Sequence, residues 1–154
     1  MTRQAYDKKC IALAQLETAL RLFCDGDDLF SVITLAGAAQ EILGDLVKKQ
    51  GRDNSLASLK RAAAAIHKVA TGEAFDEKEL KRVGDRANSA RNAVKHLEAI
   101  SAPTITMDVR KEAVDILTRA VDNYWLLENS VTPAMTAFDH AQHAPDQVQL
   151  ESED

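Results

Sequence analysis

The sequence predicts an all-α protein, an up-and-down bundle of four long helices with one or two shorter ones. Three observations support this fold class. Apolar side chains recur at three- and four-residue steps through most of the 154 residues, which is the spacing of a helix packed on one face. Alanine and leucine, which favour helices, are abundant, and the chain has only three prolines. Polar turns separate the periodic stretches, and no stretch alternates as a half-buried strand does.

The first two predicted helices cover residues 2–24 and 29–50, and the turn 25–28 ends the first and caps the second. The first helix carries a single apolar stripe, which consists of Tyr6, Cys10, Leu13, Leu16, Leu20 and Phe23. The second helix is apolar over a wider face. We therefore expect it to lie at the centre of the bundle and to pack on more than one side.

The third predicted helix covers residues 55–71, and its apolar positions are expected to face inward: Leu56, Leu59, Ala63, Ile66 and Ala70. The fourth helix begins after Asp76, which forms a capping box with Glu79, and it ends before Pro103. Its expected inward stripe is Leu80, Val83, Ala87, Ala90, Val94 and Leu97.

The fifth predicted helix covers residues 108–129 and again has a wide apolar face. A short sixth helix follows Thr132 and Pro133, a favourable pair for an N-cap and the first helical position. The remaining residues carry four acids, no base and no apolar stripe. We therefore expect one helical domain over residues 1–144 and a disordered acidic tail over residues 145–154.

The charge of the chain limits the kinds of partner it can have. The formal net charge is −5, and four of the acids lie in the tail. Without those four, 19 basic side chains face 20 acidic ones, so the helical body is nearly neutral. This argues against a broad basic platform for nucleic acid and leaves a local basic cleft as the remaining arrangement.

The sequence also indicates where the protein works. No stretch approaches the roughly 20 apolar residues that cross a bilayer, and the N-terminus has no apolar signal core. We therefore expect a cytoplasmic protein without membrane contact. Cys10 and Cys24 lie on one predicted helix about 21 Å apart, which is too far for a disulfide. We expect both to be free thiols, buried or half-buried, as suits a reducing cytosol.

The end of the fourth helix concentrates the polar side chains that are suited to chemistry. Arg91, Asn92, Lys95 and His96, with Asn88 one turn earlier, form a polar face on a helix otherwise expected to be core. Arginine offers a planar fork of donors for phosphate, and histidine can move a proton near neutral pH. Metal-free cleavage of RNA uses such groups, because a base activates the 2′-hydroxyl and cations stabilise the phosphorane. On an ideal helix Arg91 and His96 lie about 140° apart, so they converge only through the length of arginine or a loosened last turn.

Segment 90–97, with the sequence Ala-Arg-Asn-Ala-Val-Lys-His-Leu, resembles the motif of the HEPN superfamily. That motif is an arginine, a polar residue and a histidine after four intervening residues, on a late helix of a small bundle. Segment 35–43 of the second helix is similar to stand-alone bacterial members. The resemblance implies an all-α bundle, a homodimer with the motif at its interface and, often, RNA cleavage. Many relatives bind RNA or nucleotides without cleaving, or act as toxins or as partners of nucleotidyltransferases.

These observations assign the site residues by role, with neither a cofactor nor a metal expected. The expected catalytic residues are Arg91, Asn92 and His96, and the expected substrate-binding residues are Lys95 and Asn88. Supporting residues are Glu41 and Asp45, which lie one turn apart on the second helix. They are expected either to pair with Arg91 or Lys95 or to form an acid pair that faces solvent.

Two functions remain open at this point. The first is a dimeric, metal-independent endoribonuclease or a toxin-like protein that binds RNA or nucleotides. The second is a non-catalytic helical bundle that binds a partner protein. The motif has an internal decoy, because Arg61 and His67, with five residues between them, also fall within the spacings that the family allows, but Ala62 stands where the family has a polar residue. Tyr124 and Trp125 are adjacent, so they cannot both face inward, and one of them is expected to mark an interface.

Overall fold

The computed structural model describes residues 3–96 and 103–143, which contain six α-helices and no strand. The helices are α1 (Lys8–Cys24), α2 (Leu29–Lys49), α3 (Ser55–Thr71), α4 (Glu77–Lys95), α5 (Val109–Glu128) and α6 (Pro133–His143). The predicted all-α bundle is therefore confirmed. The predicted acidic tail, residues 145–154, lies outside the described residues.

Side-chain caps set where the helices begin. Asp76 and Glu79 form the predicted capping box, and each side chain accepts a backbone N–H of the other residue at 2.8 Å. The prediction for the first helix was wrong at its start, because α1 begins at Lys8 and not near residue 2. The reason is Asp7, whose carboxylate accepts the backbone N–H of Cys10 at 3.0 Å.

The central helix is α2, as its wide apolar face predicts. Nine of its residues are buried, and it packs against α1, α5 and α4. The helix α6 closes one end of the core, where Phe138 meets Phe23 edge to face with ring centroids 5.3 Å apart. The core thus consists of α1, α2, α5 and α6, and α4 joins it along one side of α2.

A buried amide joins three helices at one point of the bundle. The Asn123 side chain, which is fully buried on α5, donates to the Gln40 carbonyl oxygen at 3.1 Å. It also accepts the backbone N–H of Ser55 at 2.8 Å, so it pairs a donor at the start of α3 that has no partner within its own helix. Asn54 caps the same helix, and its side-chain nitrogen lies 3.4 Å from the Gly44 carbonyl oxygen. These bonds fix the start of α3 against α2 and α5.

The hairpin of α3 and α4 lies at the edge of the bundle. The single buried residue of α3 is Ser55, and α4 has two, Gly84 and Ala90. The expected inward stripe of α3 was therefore wrong at Leu59, Ile66 and Ala70, which are exposed, while Leu56 and Ala63 are half-buried. Ile66 is 70% exposed, and Leu59 is 39% exposed. The physical reason is that α3 meets α4 and α5 along one edge only, so most of its apolar face has no helix opposite it.

Among the described residues, α2 alone has the length and apolar composition of a membrane-spanning helix. Half of that stretch is buried among the other helices, which is also what a central bundle helix shows.

The two cysteines, Cys10 and Cys24, are free, but both are exposed, so the expectation of buried or half-buried thiols was wrong. Loss of solvent around the Cys24 thiol, and then the charge of Asp25, raise the pKa of Cys24.

Candidate functional site

Arg91 is held in place by α2, the helix that faces it. Its side chain is 18% exposed, and its Nη1 donates to Glu41 Oε2 at 3.2 Å. Glu41 is itself 57% exposed, so the ion pair lies at the edge of the protein rather than inside it. Of the two arrangements expected for Glu41, the structure has the ion pair with Arg91.

The arginine can lie this close because α2 has a glycine beneath it. A Cβ added at Gly37 would come within 2.6 Å of both Cγ and Cδ of Arg91, closer than real Cβ contacts allow. The aliphatic part of Arg91 therefore crosses α2 over bare backbone. Gly37 thus determines how closely the Arg91 side chain approaches α2. Glu41, one turn further along α2, determines the direction of its guanidinium.

A small pocket of about 150 Å³ opens beside this ion pair. Its lining includes four of the predicted residues: Glu41, Asp45, Asn88 and Arg91. The side-chain oxygen of Asn88 is buried without a hydrogen-bond partner in the part of the chain that the structure describes. Asp45 pairs with Lys48 at 3.4 Å and not with Arg91.

The other residues of the motif lie at the end of α4. Asn92 and Lys95 are exposed, and Lys95 is the last residue of the helix. His96 was expected on the helix, but it is the C-cap, with an extended backbone at φ −131° and ψ 135°. Its N–H still donates to the Asn92 carbonyl oxygen at 2.9 Å, so the helical hydrogen bonds end at this residue. The angle of about 140° between Arg91 and His96 on an ideal helix therefore does not apply.

The internal decoy has different surroundings. Arg61 forms an ion pair with Asp53 near the start of α3. His67 packs its ring against Phe75, with centroids 4.4 Å apart. Each member of this pair is thus engaged separately, and α2 holds neither of them as it holds Arg91.

The site has the groups for phosphate recognition and proton transfer. Nη1 of Arg91 is engaged by Glu41, while the remaining N–H groups of its guanidinium have no other partner among the described residues. Lys95 adds a second cation and His96 an exposed imidazole at the same end of α4. Within residues 3–96 and 103–143, no three His, Cys, Asp or Glu side chains lie close enough together to hold a metal ion.

Sequence reasoning missed a second arginine, Arg119 on α5. It lines a pocket of about 800 Å³ between α3, α4 and α5, together with Trp125. The exposed tryptophan, next to the half-buried Tyr124, was the available signal, because one of the two had to face away from the core. No pattern in the sequence predicts the pocket itself, because the pocket depends on how α3 and α4 pack against α5.

The fold and the site together define an all-α bundle with a cluster of polar and basic residues at the end of its fourth helix. Comparison with protein-family models, with curated proteins and with solved structures finds no match for this chain.

Proposed function

We propose that the chain is a HEPN-like domain that binds RNA and cleaves it without a metal ion, as a homodimer. The observation that carries the proposal is the position of Arg91. It lies over Gly37 and beside Glu41, at the helix end where Asn92, Lys95 and His96 follow. An arginine whose side chain is fixed before the substrate arrives loses little further freedom on binding a phosphate, which favours recognition.

Each residue of the cluster has a distinct role in this proposal. Arg91 binds the scissile phosphate with the donors that Glu41 leaves free, and Lys95 adds positive charge. Asn92 orients the 2′-hydroxyl or a phosphate oxygen by hydrogen bonding. His96 accepts the proton of the 2′-hydroxyl, which attacks the adjacent phosphorus, and the 5′-oxygen leaves with a proton from a second acid.

That second acid is the reason for proposing a homodimer. One chain offers a single histidine in the cluster, whereas cleavage uses both a base and an acid. A two-fold axis near the end of α4 brings a second copy of the cluster opposite the first. His96 of one protomer then acts as the base and that of its partner acts as the acid.

The test measures RNA binding and cleavage in the presence of a chelator. We expect cleavage to persist, and His96→Ala to lower its rate by about 10²–10⁴-fold. Arg91→Ala should weaken both RNA binding and cleavage. Arg91→Lys should restore neither of them fully, because lysine keeps the positive charge but lacks the planar guanidinium fork. Matched controls are His140→Ala and Arg82→Ala, which remove an exposed histidine from α6 and an exposed arginine from α4.

Two results would contradict the proposal. The first is an absence of cleavage by the wild type together with RNA binding that Arg91→Ala leaves unchanged. The second is a monomer mass by light scattering at micromolar concentration, because the monomer lacks the second histidine.

A second candidate function is a non-catalytic module that binds a partner protein. The observation that favours it is the uncovered apolar side of α3, where Val69 is 89% and Ile66 is 70% exposed. Apolar side chains grouped on one exposed face are typical of a protein interface. Replacing both residues with glutamate separates the two functions, because the change should abolish partner binding and leave RNA cleavage by the α4 cluster intact.

A further inference from the structure

A second concave site lies away from the end of α4. It is the pocket of about 800 Å³ between α3, α4 and α5, a volume within the range of small-molecule sites. Its walls are largely apolar, formed by Leu59, Ala62, Val83, Ala87, Trp125 and Leu126. Arg91, Asn92, Lys95 and His96 do not line it, so an inference about this pocket does not depend on RNA cleavage.

Arg119 is the unusual charge in this pocket. One of its terminal nitrogens donates to the Ala87 carbonyl oxygen at 2.6 Å, while its Nε is buried without a partner among the described residues. No carboxylate that the structure describes forms an ion pair with it, in contrast to Arg91, which has Glu41. Burial lowers the pKa of Arg119, while the charges of Asp115 and Glu112 raise it. Neither carboxylate is in direct contact with the guanidinium, so an anion that enters the pocket can form the direct ion pair that Arg119 does not have among the described residues.

The other charges of the pocket do not provide that anion. Lys111 and Asp115 pair with each other at 2.6 Å. The remaining charged side chains of the lining are Arg86, Glu112 and Asp122, so the pocket has no strong net charge. The pocket as a whole should therefore attract a free inorganic anion only weakly. A ligand that also covers the apolar walls binds more tightly, because burying these walls is favourable.

A second buried group in the lining lacks a partner. The side-chain oxygen of Ser55 has no hydrogen bond within the described residues. Because this oxygen is buried from solvent, it is not a contact that the pocket offers to a ligand. Among the charged side chains of the lining, Arg119 on α5 therefore remains the group on which an anion can be held.

We propose that this pocket binds a small organic anion with a flat, ring-containing body, whose acidic group pairs with Arg119. The rings lie on the apolar walls beside Trp125. The carboxylate, sulfonate or phosphate provides the negative charge that pairs with the Arg119 guanidinium. Trp125 is the single tryptophan of the chain, so its fluorescence reports directly on this pocket.

The test compares two probes that share the same rings. One is 1-anilinonaphthalene-8-sulfonate, and the other is N-phenyl-1-naphthylamine, which lacks the sulfonate. Titration against Trp125 fluorescence should show the sulfonate binding about tenfold to a hundredfold more tightly, as a charge-assisted contact predicts. Sodium sulfate at millimolar concentration should not displace it. Equal affinity for the two probes, or displacement by sulfate, would overturn the proposal.

Two variants and one control complete the test. Arg119→Gln should reduce the affinity for the sulfonate to that for the neutral probe. The control Arg82→Gln removes the same charge from an exposed position outside the pocket and should change neither affinity. Because Arg119 also holds α4 through Ala87, the second variant is Ala62→Phe, which fills the pocket and leaves every charge in place. Ala62→Phe should lower the affinity for both probes at least tenfold and leave the circular dichroism spectrum unchanged. Wild-type affinity for the sulfonate in either variant would overturn the proposal.

Discussion

Replacing Gly37 with alanine tests whether α2 positions Arg91. A new Cβ at residue 37 would lie 2.6 Å from Cγ and Cδ of Arg91 and 3.3 Å from Cδ1 of Ile116. Cγ and Cδ are in the middle of a side chain that is 18% exposed, so they cannot move aside as a free end does. Gly37→Ala should therefore displace Arg91 and break its ion pair with Glu41.

The change in stability combines two opposing effects. Alanine in place of glycine inside a helix stabilises by about 0.8–1.0 kcal/mol. Crowding a packed site costs about 1–3 kcal/mol. The net effect of Gly37→Ala is thus a loss of about 0–2 kcal/mol. For a chain of this size each kcal/mol shifts the melting temperature by about 2–4 °C, so Gly37→Ala should lower it by up to about 8 °C.

The assay is thermal unfolding of a double-mutant cycle with Arg91→Ala. Without the Arg91 side chain the crowding is largely removed, so Gly37→Ala should now raise the melting temperature by about 2–4 °C. The sign of the effect therefore reverses between the two backgrounds, with a coupling of about 1–3 kcal/mol.

A matched glycine serves as the control. At Gly84 an added Cβ meets Cε and Nζ of Lys60, the free end of a flexible side chain that can move away. Gly84→Ala should therefore stabilise the wild type by up to about 1 kcal/mol. If Gly37→Ala stabilised the wild type as much as Gly84→Ala does, the idea that Gly37 positions Arg91 would be wrong.

Two further predictions concern stability. Asn123→Ala should lower the free energy of unfolding by about 2–4 kcal/mol and the melting temperature by about 5–15 °C, because it leaves the buried N–H of Ser55 unpaired. A loss of less than about 1 kcal/mol, measured by urea unfolding, would contradict this prediction. Hydrogen bonds to the helix-capping carboxylates lower the pKa of Asp7 and Asp28 below 3.8. Their contribution is thus present above that pH and is lost as pH falls through the lowered pKa values, so Asp7→Asn with Asp28→Asn should flatten the loss of stability below about pH 4. Equal acid sensitivity of the double variant and the wild type in denaturant titrations would contradict it.

The sequence predicted the helices well because their ends carry local signals. The capping box of Asp76 and Glu79 lies directly at the helix start that it sets. The start of α1 was wrong although its signal was present, because the apolar stripe was extended past Asp7 to Tyr6, which is 69% exposed. Period alone does not say where a helix begins.

Which apolar faces are covered was less predictable. The stripe of α3 has a clear helical period, yet Leu59 and Ile66 are exposed, whereas the stripe of α2 is buried. Period identifies a face that could be buried, but burial depends on a second element opposite it. The sequence has no local signal for how α3 leans on α5, and therefore none for the pocket beside Trp125.

The candidate site was predictable in its residues but not in what positions them. Arg91 and Glu41 were both identified, while Gly37 was not, because its importance depends on how closely α4 approaches α2. For Asp45 the prediction left open a pair with Arg91 or Lys95 and a solvent-facing acid pair, and in the structure its partner is Lys48. Spacing along one helix cannot separate these outcomes, since both acids lie on the side of α2 that faces α4.

The arrangement around Arg91 provides a criterion that the motif alone lacks. An arginine that is followed by a histidine after four or five residues occurs twice in this chain, at Arg61 and at Arg91. Only the second arginine crosses a glycine on a neighbouring helix and meets an acid one turn further along that helix. Arg61 meets Asp53 at an exposed position near the start of its own helix. An arginine that packing and an ion pair hold in place is positioned before a ligand arrives, and Arg91 has both contacts with α2. The glycine and the acid on α2 are therefore stronger evidence for a site at Arg91 than the spacing of the motif on α4.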